Sequence, residues 1–423
     1  MQQVLASAWA LLLGMGMLMI GNGLQGTLLG VRGEIEGFTT LQMSFVMSAY
    51  FVGFLGGSKL APEMIRRVGH VRVFAALASF ISAVMILYPT FTDPVAWALG
   101  RVVIGFCFSG VYVTAESWLN NASNNENRGK ALSLYMIVQM AGVVSAQAMM
   151  LLGDPAGYDT FVLASVLVSV SFAPILLSIS PTPAFDTTKP MSLRKLMDTS
   201  PLGCVGMFLM GSVFSAQFGM SAVYGAKVGL SVPQISGFVA TFYVGALILQ
   251  YPLGWMSDRM DRRLLILMVA AVAGVGAVLG MVLGGYYVML LVAAFVVGGM
   301  TNPLYSLLIA HTNDYLEHDD MAAASGGLIF INGLGAIAGP LITGWLMGDG
   351  VFGPPGFFVL MAGLLFALAA YALYRTTQRP AVPVEDTGSY TPVSPSSTQV
   401  AVEVAQEYAI EAEQEAQEEN DAA

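Results

Sequence analysis

Charged side chains are scarce in this chain. Asp, Glu, Lys and Arg make up 10% of its 423 residues and hydrophobic residues make up 56%, whereas a soluble domain carries about 25% charged residues. The mean hydropathy of +0.70 points the same way. This composition excludes a soluble globular protein. It also excludes a disordered chain, which has few apolar and many charged residues.

Metal-ligating residues and nucleotide-binding loops are scarce as well. The chain has two cysteines and three histidines. Cys107 and Cys204 both fall inside apolar segments, so we interpret them as free, buried thiols and not as a disulfide or a metal site. The sequence has neither a His-Glu-x-x-His motif nor a Gly-x-x-x-x-Gly-Lys-Ser/Thr loop, which argues against metal-dependent catalysis and ATP-driven transport. We expect no enzymatic activity, no metal and no cofactor.

A basic surface is also missing, and acidic charge is concentrated at one end. Residues 1–375 hold 16 Lys and Arg and 17 Asp and Glu, whereas residues 376–423 hold Arg379 and ten acidic residues. A nucleic-acid partner is not expected, because no basic face could neutralise phosphates. The tail 376–423 is predicted to be a disordered cytoplasmic extension. The alternative is a regulatory segment, with a short helix near 400–419, that docks on basic inner loops.

What the chain has in abundance is long apolar segments. A helix needs about 20 apolar residues to cross the hydrocarbon core of a bilayer. The segments are uniformly apolar, so they are predicted to be helices and not the alternating strands of a barrel. We therefore expect an all-α membrane protein with twelve transmembrane helices, at 5–30, 40–60, 71–90, 95–119, 131–152, 160–180, 201–225, 235–255, 263–284, 287–311, 322–346 and 355–375.

Basic residues indicate the orientation of these spans. The first one is Arg32, so the charged n-region of a cleaved signal peptide is missing. With both termini in the cytoplasm, the outer side holds only Arg32 and Lys227, and Arg101 lies within a span. The other 14 of the 17 basic residues then face the cytoplasm, as the positive-inside rule requires. We expect a multi-pass protein of the inner membrane.

The chain resembles itself at an offset of about 193 residues. Gly105 in the fourth span matches Gly298 in the tenth, and Gln139 in the fifth matches Asn332 in the eleventh. The predicted units are two six-helix bundles, 1–180 and 201–375, joined by a cytoplasmic linker at 181–200. Parallel repeats of this kind are typical of transporters that bind their solute near the bilayer midplane.

The residues around the eighth span resemble the major facilitator superfamily. Gly254-Trp255-Met256-Ser257-Asp258-Arg259-Met260-Asp261-Arg262-Arg263 is similar to its loop motif, Gly-x-x-x-Asp-Arg-x-Gly-Arg-Arg, with Asp261 at the second glycine. The first-half copy keeps Arg66, Arg67 and Gly69, and Arg101-x-x-x-Gly105 resembles the membrane-arginine motif of many proton-linked members. The stretch Glu116-Ser117-Trp118-Leu119-Asn120 resembles a bacterial subfamily of unassigned substrate.

The resemblance implies a latch that closes the cytoplasmic side in the outward-facing state. Asp258 would be stabilised by Arg262 or Arg263 and by the helix dipole. The alternative is plain charge at a helix end that only sets the orientation. The predicted cytoplasmic gate comprises Gly254, Asp258, Arg259, Arg262, Arg263, Arg66, Arg67 and Glu116.

The fourth span carries a polar stripe that should face a cavity. Arg101, Gly105, Ser109, Tyr112 and Glu116 fall within about 80° of the helix circumference. A charge inside the bilayer needs water, a partner or an anionic ligand, so Arg101 is a substrate or proton-coupling candidate; the alternative is a structural arginine tied to backbone carbonyls. Glu116 lies about 22 Å farther along the axis and is expected to join the basic residues of the gate, Arg66, Arg67 or Arg72.

Other polar side chains within the spans complete the candidate solute site. For each of them the alternative is an ordinary hydrogen bond between helices. The candidates for solute binding or coupling are Arg101, Tyr112, Asn22, Gln25, Gln139, Gln217, Tyr224, Tyr243, Asn302 and Asn332.

The predicted function is secondary transport of a small organic solute by alternating access. Aromatic candidates favour a planar or aromatic, vitamin-like solute, and Arg101 favours an anionic one. Proton coupling, through Glu34, Glu36 or Glu116, and facilitated diffusion both stay open. The rivals are efflux of amphipathic compounds and a non-transporting membrane solute sensor. A Gly339-Pro340 pair lies in the eleventh span and none in the fifth, which weakens the resemblance to drug antiporters. Besides the solute and the lipid bilayer no partner is expected, and the protein should be a monomer.

Overall fold

Helices account for the regular structure of the described chain. The computed structural model describes residues 2–121, 125–177, 191–384, 387–407 and 410. A 3₁₀ turn, Met150–Leu152, extends the fifth helix, and residues 399–407 form a tail helix. The other helices are α1 Gln2–Ile35, α2 Thr40–Val68, α3 His70–Leu87, α4 Pro94–Asn121, α5 Asn125–Met149, α6 Asp159–Ser171, α7 Ala173–Leu177, α8 Leu193–Thr199, α9 Pro201–Lys227, α10 Val232–Ser257, α11 Arg262–Leu283, α12 Tyr287–Asn313, α13 His318–Leu346 and α14 Gly356–Thr376.

Twelve helical segments are long and apolar enough to cross a membrane, which confirms the predicted number of spans. The sixth span differs from the expected single helix at 160–180, because it is divided into α6 and α7 at Phe172. Pro174 explains the division: proline has no N–H and is tolerated only in the first turn of a new helix. Residues 178–180, and the linker up to residue 190, lie outside the described residues. The described part of the linker contains α8.

Equivalent spans of the two halves begin in the same way. Thr39 caps α2 and exchanges hydrogen bonds with Gln42, and Ser231 caps α10 and exchanges them with Gln234. Such a reciprocal capping box satisfies free N–H groups at a helix start. Both pairs are 192 residues apart, so the repeat extends to the turns before the second and eighth spans.

The repeat also extends to the packing of helices against each other. A methyl group on Gly105 of α4 would lie 1.9 Å from the carbonyl oxygen of Tyr50 in α2, and one on Gly298 of α12 would lie 2.2 Å from that of Phe242 in α10. Each half therefore brings its second and fourth spans into backbone contact at a glycine, as small residues permit in membrane helices.

The two bundles touch each other at one end of the molecule, which we call the far face. It contains the end of α1 and the beginning of α2. A methyl group on Gly30 of α1 would lie 2.7 Å from the Cβ of Ala222 in α9, and one on Gly344 of α13 would lie 2.3 Å from the Cβ of Ser44 in α2. Ser48 Oγ donates a 2.7 Å hydrogen bond to the carbonyl of Ile337. The far face is therefore closed.

At the opposite end, the tail face, the tail lies between the bundles. Disorder was expected for 376–423, but residues 387–407 are ordered in the structure. The reason is burial of small apolar side chains: Val393, Ala401, Val402, Val404 and Ala405 are each at most 4% exposed. Residues 408–409 and 411–423 lie outside the described residues. Cys107 and Cys204 are both free and buried, as expected.

Candidate functional site

A cavity lies between the two bundles, between the closed far face and the tail. Its wall combines aromatic rings, methionines and carboxamides, and residues 394–397 of the tail form its floor. The cavity volume open to the centres of water-sized molecules is ≈ 70 Å³, and residues of the tail lie at its mouth. Its polar and aromatic lining residues are Asn22, Tyr50, Phe51, Phe54, Tyr112, Gln139, Phe214, Phe218, Tyr243, Asn302, Asn332, Ser394, Ser396 and Ser397.

The wall of this cavity is uncharged. Among the described residues that line it, none is Asp, Glu, Lys, Arg or His. Aromatic rings meet across the two bundles: Tyr50 of α2 and Phe218 of α9 have centroids 5.6 Å apart, and Phe214 stacks on Phe218 with an interplanar angle of 18°. The site can therefore surround a flat apolar ring with aromatic faces and edges.

Hydrogen-bonding groups are set into this aromatic wall. Asn22 donates from Nδ2 to the hydroxyl of Tyr112 at 3.2 Å, and that hydroxyl faces the sulfur of Met19 at 3.4 Å. The carbonyl oxygen of Asn22 is buried and accepts no hydrogen bond. Because a buried acceptor without a donor is costly, this oxygen is suited to a donor on a bound solute.

Arg101 lies behind the cavity wall. Its guanidinium is 4.6 Å from the ring centroid of Tyr50, and Nη1 donates a 2.8 Å hydrogen bond to Oε1 of Gln25. The side chain is fully buried, and its Nε and Nη2 make no hydrogen bond. In the described part of the chain it forms no ion pair. Arg101 therefore contacts Tyr50 of the cavity wall and does not line the cavity itself.

The structure divides the ten predicted solute residues into two groups. Gln25 and Arg101 lie one layer behind the wall, Gln217 is bonded to Thr301 at 3.1 Å, and Tyr224 stacks on Phe357 at 5.1 Å outside the cavity. Gln25, Gln217 and Tyr224 thus lie where the alternatives of helix packing and interhelical hydrogen bonding predict. Arg101 is bonded to the side chain of Gln25 and not to backbone carbonyls, as its alternative held. The six that line the cavity are Asn22, Tyr112, Gln139, Tyr243, Asn302 and Asn332.

Several cavity residues were missed. Tyr50, Phe51 and Phe54 of α2 form one aromatic side of the cavity together with Phe218 of α9. The one signal for them is spacing, since Tyr50 and Phe54 are four residues apart and therefore lie on the same helix face. The polar composition of the tail gave no indication that residues 394–397 line the cavity.

The loop motif after α10 surrounds a buried arginine. Arg262 Nε donates to Ser257 Oγ at 3.0 Å, its guanidinium is 3.7 Å from the carboxylate of Asp258, and it pairs closely with Asp314. It also donates to the carbonyl of Gly388 in the tail. The predicted contact between Asp258 and Arg262 is present, and both residues also contact the tail.

The other two arginines of the motif, Arg259 and Arg263, make contacts within and beside the loop. Arg263 binds Asp261 at 3.1 Å and the carbonyl of Arg379 at 2.6 Å. Burial raises the pKa of Asp261, but hydrogen bonds and charge from Arg263 outweigh it, so the pKa lies below its usual value. Arg259 stacks on Trp255, with 4.4 Å from its guanidinium carbon to the ring centroid.

The first-half gate residues are arranged differently from the prediction. Arg66 and Arg67 are exposed and both pair with Glu63, at 2.6 and 2.7 Å. Glu116 does not join them. It is buried, receives a 3.4 Å hydrogen bond from Tyr135, and accepts hydrogen bonds from the backbone and hydroxyl of Thr398. The expected pairing of Glu116 with basic residues fails because the tail supplies its donors.

The family model of the Major Facilitator Superfamily matches residues 11–202 and 202–406. An uncharacterized MFS-type transporter of Yersinia pestis (strain Pestoides F) is 25% identical over 77% of this chain and 85% of its own length. The uncharacterized MFS-type transporter YcaD of Escherichia coli strain 536 is 27% identical over 84% of this chain and 92% of its own length.

Solved structures share the fold. A variant of the nucleoside transporter NupG superposes with a TM-score of 0.72 at 14% identity, over 87% of this chain and 99% of that one. A bacterial homologue of the human lysosomal transporter Spinster, inward-facing and unoccupied, gives a TM-score of 0.65 at 15% identity, over 96% and 98%. With twelve membrane-spanning helices, a repeated six-helix unit and family matches in both halves, the chain belongs to the Major Facilitator Superfamily of transporters.

Proposed function

We propose that this protein is a secondary transporter that moves a small, uncharged, planar aromatic solute with hydrogen-bonding edges across the bacterial inner membrane by alternating access. The observation that carries the proposal is the cavity between the two repeats. Aromatic rings and carboxamides line it, and its described wall has no charged side chain. Such a wall suits flat heteroaromatic compounds such as nucleobases and neutral vitamins.

The uncharged wall favours a neutral solute over an anionic one. A charged ligand buried without a partner loses its hydration at high cost. Arg101 was the feature that favoured an anion, but its guanidinium lies behind Tyr50 and donates to Gln25. Amides such as Asn22 and Asn332 can both donate and accept, which matches the mixed edge of a heteroaromatic ring.

Placing both termini in the cytoplasm is supported by the distribution of basic residues, and it makes the tail face cytoplasmic. Glu116 is the candidate for proton coupling, because it is a buried carboxylate bound only by neutral donors among the contacts given above. Facilitated diffusion is the alternative. We propose a monomer as the functional unit, since one chain encloses the whole cavity.

A thermal-shift screen followed by counterflow tests this function. The purified protein is screened against neutral nucleobases and nucleosides, aromatic carboxylates and quaternary ammonium compounds. A neutral heteroaromatic should raise the melting temperature, because binding to the folded state stabilises it by RT ln(1 + [L]/Kd). That compound, labelled, should then exchange across proteoliposome membranes.

Two tyrosines provide a matched pair of variants. Tyr243→Phe removes a hydroxyl from the cavity, whereas Tyr224→Phe removes one from the aromatic cluster outside it. Tyr243→Phe should reduce the thermal shift, and Tyr224→Phe should leave it unchanged. Binding without counterflow in folded protein would favour the sensor, and shifts with quaternary ammonium compounds alone would favour efflux of amphipathic compounds.

A further inference from the structure

The most unusual feature of the molecule is the position of its own tail. Residues 390–407, which we call the tail plug, lie between the bundles at the tail face. The segment 394–397, near the middle of the tail plug, lies deepest and forms the floor of the solute cavity. A solute that moves between the cavity and the tail face therefore has to pass the tail plug.

The second bundle holds the beginning of the tail plug through specific hydrogen bonds. The backbone N–H of Tyr390 donates to Asp258 at 2.8 Å, and its hydroxyl accepts from Gln250 at 2.8 Å. Ser306 Oγ accepts from the N–H of Val393 at 2.9 Å and donates to its carbonyl at 3.0 Å. Two backbone groups that would otherwise be buried without partners are thus satisfied by one side chain.

The C-terminal part of the tail plug contacts both bundles. Thr398 donates to Glu116 of the first bundle. Gln406 accepts from Ser325 at 2.9 Å and donates to Asn313 at 3.0 Å, and both of these residues belong to the second bundle. Val402 between them is fully buried. The tail plug therefore bridges the two halves.

Apolar burial and hydrogen bonds from neutral groups hold the tail plug in place. Residues 390–402 contain no charged side chain, so this part of the tail plug cannot dock on the basic loops as an acidic segment would. Its partners Glu116 and Asp258 even carry the same charge sign as the tail as a whole. The binding of residues 390–402 should therefore depend little on ionic strength, because salt screens exposed charge pairs and not buried neutral contacts.

We propose that the tail plug is a tethered autoinhibitor that blocks the cytoplasmic mouth of the cavity and must withdraw before the transporter can cycle. The inhibitory consequence rests on the proposed function, whereas the blocked mouth does not. In alternating access the two halves rock so that the open face closes. The tail plug occupies the space into which the tail-face ends of α4, α10 and α12 would move, so its presence and that closure exclude each other.

A thiol-labelling experiment tests the blocked mouth without any solute. Ile329 of α13 lines the cavity, and Ile329→Cys places a reactive thiol there. The protein in lipid nanodiscs is treated with a sulfonated maleimide. Removal of residues 390–423 should speed labelling of this thiol by about tenfold or more, which corresponds to about 1.4 kcal/mol of opening free energy.

Two valines supply a matched test in the full-length chain. Val402→Asp buries a charge in the fully buried part of the tail plug and should expel it, so labelling should be as fast as in the truncated chain. Val384→Asp makes the same change at a position that is 40% exposed and should leave the rate unchanged. Equal rates in full-length and truncated chains, or equal acceleration by both aspartates, would overturn the proposal.

The two native cysteines control for unfolding. Cys107 and Cys204 are 2% and 1% exposed, so a chain without Ile329→Cys should label slowly, truncated or not. If Val402→Asp exposes these thiols, the truncated chain alone decides. Counterflow of a solute found in the screen should be faster after truncation. Slower counterflow together with faster labelling would overturn the inhibitory role and leave the transporter function itself standing.

Discussion

At the scale of single residues, Arg101 separates what periodicity can predict from what it cannot. The helical spacing predicted that its side chain faces a cavity and not lipid; the structure buries it completely, but one layer behind the cavity wall. Spacing could not identify the neighbours, because those come from α1 and α2. Tyr50 lies between the guanidinium and the cavity, so Arg101, which was predicted to contact the solute, does not line the cavity.

Replacement of Arg101 should separate stability from function. Arg101→Met removes a buried charge that has no carboxylate partner among the described residues and keeps much of its volume. Since an apolar isostere at a buried charged site is often neutral or stabilising, the melting temperature should stay the same or rise. Counterflow should fall sharply, because Tyr50 and Gln25 lose the group that positions them.

The matched control for this variant is Arg66→Met. Arg66 is 70% exposed in its side chain and, among the residues that the structure describes, pairs with Glu63 at the surface, where ion pairs contribute little. It should change neither melting temperature nor counterflow. A strong loss of stability in Arg101→Met with unchanged counterflow would identify Arg101 as purely structural.

At the scale of helices, the repeat predicts which contacts are close. The offset of 193 residues links Gly105 with Gly298 in the sequence, and both are sites where two helix backbones meet. Hydropathy likewise predicts the twelve spans, since lipid requires long uninterrupted helices. It could not predict the division at Phe172, because a single proline in an apolar run leaves hydropathy unchanged.

A methyl group at these glycines should force equivalent helices apart. Gly105→Ala would bring Cβ within 1.9 Å of the Tyr50 carbonyl, and Gly298→Ala within 2.2 Å of that of Phe242. Overpacking of this kind typically costs about 1–3 kcal/mol, so both variants should melt at clearly lower temperatures in detergent.

Gly363→Ala is the control, because nothing lies within 4 Å of its added methyl group in α14. Alanine is also the better helix former there, so this variant should melt at the same or a higher temperature. If Gly105→Ala behaves like Gly363→Ala, the close packing of α2 and α4 is not needed for stability.

At the scale of the whole molecule, the structure adds what no local pattern contains. The tail is polar and acidic, and by composition it should stay in solvent. Its burial depends on a cavity mouth built largely from helices distant in the sequence, whose shape complements Val393 and Val402. The same separation explains Glu116. The arginines predicted to pair with it lie in its own half of the chain, whereas Thr398, which donates hydrogen bonds to it, lies near the other end of the chain.

The motif aspartate offers the last test, because it joins the predicted latch to the tail. Asp258→Asn keeps an oxygen that can accept the Tyr390 N–H but removes the negative charge 3.7 Å from Arg262. Solute binding should be unchanged, since Asp258 lies outside the cavity wall, so the thermal shift should persist. Counterflow should slow several-fold, because closure of the tail face loses its charge pair. Glu63→Gln removes a charge from an exposed pair and should change neither the thermal shift nor the rate of counterflow. Asp258→Asn turnover equal to that of the parent protein would leave the motif with a role in orientation alone.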